Sequence, residues 1–281
     1  MIDAHLHTWD RARSRYAWLD GAPAQLQADH SLDQGFAALT PFGVERAVLV
    51  QADETLAETA YLLELVAVDA RLAGAVVYLP LEDPGTVAAQ LATLAEDPGF
   101  VGVRNLTHDR PDPDWVLGAE ERRSIGLIEA AGVPLDYVAV LPRHLENLVT
   151  LAREHADLTF VLDHLGTAPV GLPDDDWSRW QGQLAEIAAL PNVVAKVSGI
   201  YRRDVAEAAV TPEQMEAVLG AALAAFGADR LLLGSDWPVC TIFSGAEATM
   251  RALVDAVAAL PAAQAQALRS GTATRIYGLA E

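Results

Sequence analysis

Eight short apolar runs spread along the whole chain, each followed by a stretch of helical periodicity, constrain the fold more than any other feature. The runs are 2–7 (IDAHLH), 44–51 (VERAVLVQ), 73–80 (AGAVVYLP), 100–105 (FVGVRN), 133–140 (VPLDYVAV), 159–164 (TFVLDH), 192–198 (NVVAKVS) and 230–236 (RLLLGSD). Most are apolar at nearly every position, as parallel strands covered on both faces must be. Between them, 54–70, 84–95, 119–131, 142–155, 178–190, 212–226 and 245–260 carry leucine, valine and alanine at three-to-four spacing. Asp83 before Pro84 is a capping residue followed by proline at the first helical position, and Pro142, Pro212 and Gly227 stand where helices start and stop. A last helix is expected over 262–269, with the tail packed on the rest.

Strand and helix alternating eight times predict an α/β fold, a distorted (β/α)8 TIM barrel in one domain over residues 1–281. The length agrees, since such a barrel takes about 250 residues. An open doubly wound sheet also alternates, but it carries a glycine-rich phosphate turn after its first strand, and His7-Thr8-Trp9 is not one. Three segments that follow strands are long, 8–36, 106–118 and 165–177, and a barrel places them on its C-terminal face. They hold Trp9, Tyr16, Trp18, Trp115 and Trp177. Trp9 and Trp18 are candidate substrate-covering residues; most of these aromatics are expected to pin loops to the rim.

The net charge of −20 argues against nucleic acid and anionic membranes as partners, and means that an anionic ligand needs a locally basic pocket. No apolar run approaches the roughly 20 residues of a membrane span. With one cysteine, Cys240, there is no internal disulfide, and the chain enters a strand at once with no basic leader, so a cytoplasmic protein is expected.

Chemistry-bearing residues gather at the ends of the runs. His5 and His7, two apart on a strand, share a face and can hold a metal ion or bracket a polar substrate. Asp236 ends run eight in GSDWP, and a carboxylate there is costly to bury without a task such as accepting a proton from water or binding metal. Barrel closure sets it beside His5 and His7. His164 ends run six; with both residues in the strand, it would face the pore and Asp163 the helix layer. Arg104 ends run four and offers a planar fork for a carboxylate or carbonyl, or an ion pair with Asp136 or Asp236. Lys196, Gln51 and Tyr137 are candidate substrate contacts by the same logic, with a structural ion pair as the alternative for Lys196. Asp136 stands with them. His108 lies in a C-terminal-face loop without an assigned role, and His30, His144 and His155 receive none. There is no Gly-x-Ser-x-Gly elbow, which counts against acyl-enzyme chemistry. His5, His7, His164 and Asp236 form a nitrogen and oxygen ligand set suited to zinc.

The ordered motifs IDAHLHTWD, YAWL, VLVQA, GVR, LDHLG, KVSG, GSDWPVC and RIYGL resemble the amidohydrolase superfamily, its amidohydrolase-2 branch, and within that the sugar-lactone hydrolases. IDAHLH and GSDWP carry the superfamily resemblance, and the full ordered set the narrower one. The resemblance implies a distorted barrel that hydrolyses lactones, with His5, His7, His164 and Asp236 at the polar centre and Arg104 orienting substrate. It departs at Asn105, where relatives often carry histidine, which bears on which lactone is bound. Two-metal relatives use a carboxylated lysine on strand four; this chain has none there, so at most one divalent ion, zinc, is expected, held loosely and dispensable. The function expected is opening of an aldonolactone, a 1,4- or 1,5-lactone of a sugar acid, by activated water. The rivals are a metal-dependent decarboxylase on the same scaffold and a silent sugar-acid binding protein.

Overall fold

The computed structural model describes residues 1–204, 208–243 and 246–280, with the side chains of 246 and 249 left aside. Eight parallel strands pair in chain order: β1 Ile2–Leu6, β2 Arg46–Val50, β3 Leu72–Val77, β4 Phe100–Asn105, β5 Leu135–Tyr137, β6 Phe160–Leu162, β7 Val193–Val197 and β8 Leu231–Leu233. The ring closes beyond β8. The amides of Asp236 and His7 donate to His5 O and Trp237 O at 2.9 and 2.8 Å, and Asp3 Oδ1 accepts the amides of His5 and Ser235. This is the α/β barrel that the strand–helix alternation predicts.

The helices are α1 Leu32–Leu39, α2 Leu56–Val68, α3 Pro84–Leu94, α4 Ala119–Ala131, α5 Pro142–Glu154, α6 Asp174–Ala188, α7 Pro212–Phe226, α8 Ala246–Ala258, α9 Ala262–Gln266 and α10 Thr272–Ile276. Residue 245, the expected start of α8, lies outside the described residues. Helix α1 occupies part of what reads as a loop; Ser31 and Gln34 cap its start reciprocally, a short-range signal of a helix start. Helix α6 begins four residues early, with Asp174, Asp175 and Asp176 in its first turn, where the helix dipole favours acids. Instead of stopping at 269, the last helix runs through a single π turn, Ala267–Gly271, into α10. Among the described residues no helix is long and apolar enough to cross a membrane.

Two apolar layers result. Alternate strand residues such as Leu49, Val77, Leu135, Leu162 and Leu233 pack outward against the helices. Val48, Val50, Val76, Val161, Val194 and Leu232 fill the lower barrel, and Ala273, Tyr277 and Leu279 close it from below. Two register shifts set what lies above. On β1, Ile2 and Asp3 pair with Arg46 and Ala47, but Leu6 pairs with Leu49. This bulge reverses the alternation, so Ala4 sits in the lower barrel while His5 meets the interior carboxylates and Leu6 packs outward. On β4 the pairing shifts between Phe100 and Gly102, and Val101 and Arg104 both reach the interior.

Candidate active site

Above the apolar plug the barrel turns polar. His5, Arg104, Asp136, Asp163, Lys196 and Asp236 are all buried there. At the top of this layer Asp236 Oδ1 lies 3.4 Å from His7 Nε2, 3.7 Å from His5 Nε2 and 3.9 Å from His164 Nε2. Its other oxygen accepts a 2.5 Å hydrogen bond from the Tyr201 hydroxyl. Burial pushes the Asp236 carboxyl up, but the imidazoles of His164, His7 and His5 outweigh it and hold it well below the usual carboxylate range. Asp236 is therefore ionised at neutral pH. Burial lowers the His164 imidazole, so that ring is neutral there.

The backbone at both of these residues is unusual. Asp236 has φ 57, and His164, Leu165, Gly166 and Thr167 form four consecutive positive-φ residues. Each non-glycine residue held left-handed costs roughly 1–2 kcal/mol, so the surroundings must impose the turn. They do: Thr167 N–H donates to His164 O, Thr167 Oγ1 donates to Ala139 O, and Trp180 Nε1 donates to Leu165 O. His164 Nδ1 lies 2.9 Å from Ser198 Oγ. Observed outliers of this kind gather at functional sites.

This turn corrects the assignment of Asp163 to the helix layer. β6 stops at Leu162, and Val161, which faces the barrel interior, shares its parity with Asp163. Asp163 therefore points inward as a strand residue would, and His164 reaches the same space because the chain has turned left-handed beneath it. Asp163 is also the partner of Arg104, in place of Asp136 or Asp236: Arg104 Nε donates to Asp163 Oδ2 at 2.7 Å. Arg104 Nη1 donates to Gln51 O, leaving Nη2 as the nitrogen outside those two bonds.

A cavity of about 290 Å³ opens over this floor, near the lower end of the usual range for small-ligand sites. His7, Arg104, His164 and Asp236 form its base; Trp9 and Trp18 stand on one wall, with Tyr201, Arg203 and His108 elsewhere around it. Trp18 is half-buried and donates from Nε1 to Ala52 O at 2.7 Å, while Trp9 is buried, donates to Ala28 O, and meets the Trp18 ring edge-on. Of the other aromatics, Tyr16 is buried beside Trp9, Trp115 lies under Arg110, and Trp177 packs on Trp180. Burial pulls the His108 imidazole down to about 4, so it is neutral at pH 7, and its Nδ1 has no hydrogen-bond partner among the described residues.

Gln51, Tyr137 and Lys196 do not reach this cavity. Gln51 Nε2 donates to Arg104 O within the barrel wall. Tyr137 shares the outward parity of Leu135 and donates to His144 O. Lys196 lies beneath the floor, in ion pairs with Asp136 and Asp163. Asn105 is also turned away, donating to Leu79 O. Tyr201, Ser198 and Arg203, which strand-end reasoning passed over, lie in or just past the KVSG segment, where the chain leaves β7 on the C-terminal face.

The donor set fits one metal ion. Nε2 of His5 and His7 are 3.1 Å apart, and both face Asp236 Oδ1. Ligand atoms about 2.0–2.1 Å from a tetrahedral zinc lie about 3.3 Å from one another. A second possible group, His5, Asp163 and His164, shares His5 with the first, and its carboxylate is already engaged by Arg104 and Lys196.

The chain is similar to several known proteins. L-Fucono-1,5-lactonase from Burkholderia multivorans is 33% identical over all of this chain and 96% of its own, and the Burkholderia ambifaria enzyme of the same name is 34% identical over 85% and 80%. An amidohydrolase from Burkholderia multivorans, solved with HEPES and separately with zinc bound, is 31% identical over 99% of both chains, with TM-scores of 0.87 and 0.86. The amidohydrolase family profile (Amidohydro_2) matches residues 2–279, from the β1 histidines through Asp236 to the plug below the barrel, and the chain belongs to that family.

Proposed function

We propose that the protein hydrolyses a sugar-derived aldonolactone, a 1,4- or 1,5-lactone, to the aldonic acid. The observation that carries this reading is Asp236, an ionised carboxylate among three imidazoles and a tyrosine at the floor of a sugar-sized cavity. The names of the relatives support it.

In this reading the lactone carbonyl points at Arg104 Nη2 and His164, and the ring lies against Trp18. Asp236 accepts a proton from water as the water oxygen bonds to the carbonyl carbon. Arg104 steadies the oxyanion. The ring C–O bond then breaks, and the departing alkoxide takes the proton back from Asp236. A carboxyl with so low a proton affinity is a modest base but a ready donor to an alkoxide, which suits this second step. His108 Nδ1, unpartnered among the described residues, would bond a ring hydroxyl, and Arg203 supplies the basic charge that the acid product needs in an acidic protein. His5, His7 and Asp236 would hold a divalent ion, zinc by the donor types, with His164 facing Asp236 beside them; when bound it would polarise a carbonyl and acidify water.

A pH-indicator screen of aldonolactones tests the reading, because each turnover releases a proton. Acid release from a lactone supports it. Carbon dioxide release from an aromatic acid with no acid from any lactone points to the decarboxylase instead. Two further outcomes are expected. Trp18→Ala should raise KM about tenfold with little change in kcat or melting temperature, since its ring walls the cavity but is only half-buried; unchanged kinetics would return Trp18 to packing. Elemental analysis should find no more than one equivalent of metal per chain, with much of the activity surviving chelation. Two tightly held equivalents would contradict the single-ion site.

A further inference from the structure

Lys196 is the only lysine in a chain that otherwise uses arginine, and its side chain is 0% exposed. Its three N–H groups face three acceptors. Asp136 takes one in a short hydrogen bond, His5 Nδ1 lies at 3.0 Å, and Asp163 Oδ1 is in ionic contact at 3.1 Å. Below, the Tyr277 hydroxyl holds both Asp136 oxygens at 2.9 Å, tying the plug to this layer.

The direction of each bond follows from what each atom can do. His7 Nδ1 lies 2.8 Å from Val50 O. A carbonyl only accepts, so His7 Nδ1 carries a proton, and in the neutral ring Nε2 then carries a lone pair. His5 Nε2 lies 3.1 Å from that lone pair, so a hydrogen bond there requires the His5 proton on Nε2. A neutral imidazole has one proton, which leaves His5 Nδ1 to accept from Lys196. Lys196, ion-paired with Asp136 and Asp163, can only donate, so a proton on the His5 nitrogen that faces it would set donor against donor. In this state the His5 nitrogen facing His7 and Asp236 cannot bind a cation. The other tautomer can, and it needs an acceptor for Nδ1–H. Asp163 Oδ1 is 3.3 Å away and buried; its contact with Lys196 is ionic, and it has no hydrogen-bond partner of good geometry among the described residues.

We propose that Lys196 and Asp163 compete for His5 Nδ1, and that this competition sets how tightly the histidine cluster holds a divalent cation. Lys196 favours the tautomer that cannot ligate, Asp163 the one that can. Both are positioning residues acting through His5. The inference rests on the cluster being able to bind metal and not on the identity of the substrate.

The test uses zinc and the full chain without substrate. Histidine ¹⁵N NMR reads the tautomer, and chelator competition reads the zinc affinity. Zinc-free wild type should carry the His5 proton on Nε2. Lys196→Met combined with Asp136→Asn removes a cation and an anion together, and leaves Tyr277 an amide oxygen to bond. This double variant should bind zinc about tenfold tighter or more, and Asp163→Asn should bind it about tenfold weaker or more, the scale usual for partners of metal-ligating histidines. A proton on Nδ1 in zinc-free wild type would overturn the proposal, as would unchanged or weaker zinc binding by the double variant. If that variant does not fold, the wild-type tautomer decides alone. Failure of the lactone screen would leave these measurements standing, and their failure would leave the lactone reading standing.

Discussion

Asp236→Asn should lower kcat by about 10²- to 10⁴-fold, the usual contribution of a positioned acid–base group, while the folded structure persists. Two features make this substitution informative. Asp236 has φ 57, and asparagine is among the few residues that tolerate left-handed backbone. The amide oxygen can also keep the 2.5 Å hydrogen bond from Tyr201. What is lost is the charge that the three imidazoles face and the capacity to take a proton. The measurement is kcat on the best lactone, beside melting temperature. A variant that turns over normally would remove Asp236 from the proton transfers and shift the base role to His164. A variant that loses activity only because it unfolds would show a melting shift of many degrees, which the retained hydrogen bond and tolerated φ argue against.

The barrel was legible because the inside and outside of a parallel sheet are both apolar, so eight buried runs stand out against amphipathic helices. Helices α4 and α7 match their expected bounds, since periodicity and flanking glycine or proline agree there. The strands beside the site are shorter than their runs: β6 and β8 stop at Leu162 and Leu233, and the ends that carry His164 and Asp236 lie in turns. An apolar run shows that a segment is buried and says nothing of where its backbone leaves the sheet. That is why counting His164 as a strand residue facing the pore put Asp163 on the wrong face. Alternation works only within an unbroken register, and on β1 and β4 a bulge changes the parity below the polar layer. The convergence of His5, His7, Arg104, His164 and Asp236 survived these errors, because residues at the C-terminal ends of barrel strands meet whatever their exact parity. Lys196, Gln51 and Tyr137 share the strand-end position but not the height or face, and that difference is a tertiary fact.

Gly199→Ala should cut kcat/KM by about 10²-fold, the scale of a 1 Å misplacement at a reacting centre, with only a modest loss of stability. Gly199 has φ +56, and a Cβ there would lie 2.5 Å from Cγ and Nδ1 of His164. That approach is closer than real Cβ contacts come, and the struck atoms belong to a rigid ring on a backbone already held left-handed. The ring must shift, and with it the 2.9 Å contact of Nδ1 with Ser198 and the approach of Nε2 to Asp236. The backbone part of the cost can be measured separately. Gly132, the α4 C-cap at φ +68, has nothing within 4 Å of where its Cβ would be. Gly132→Ala therefore carries the left-handed penalty alone, roughly 1–2 kcal/mol, and should leave the kinetics unchanged. If both variants lose similar stability but only Gly199→Ala loses activity, the glycine of KVSG is there to seat His164. Should Gly199→Ala keep full activity, the ring has room to move without consequence, and His164 is not held in place for catalysis.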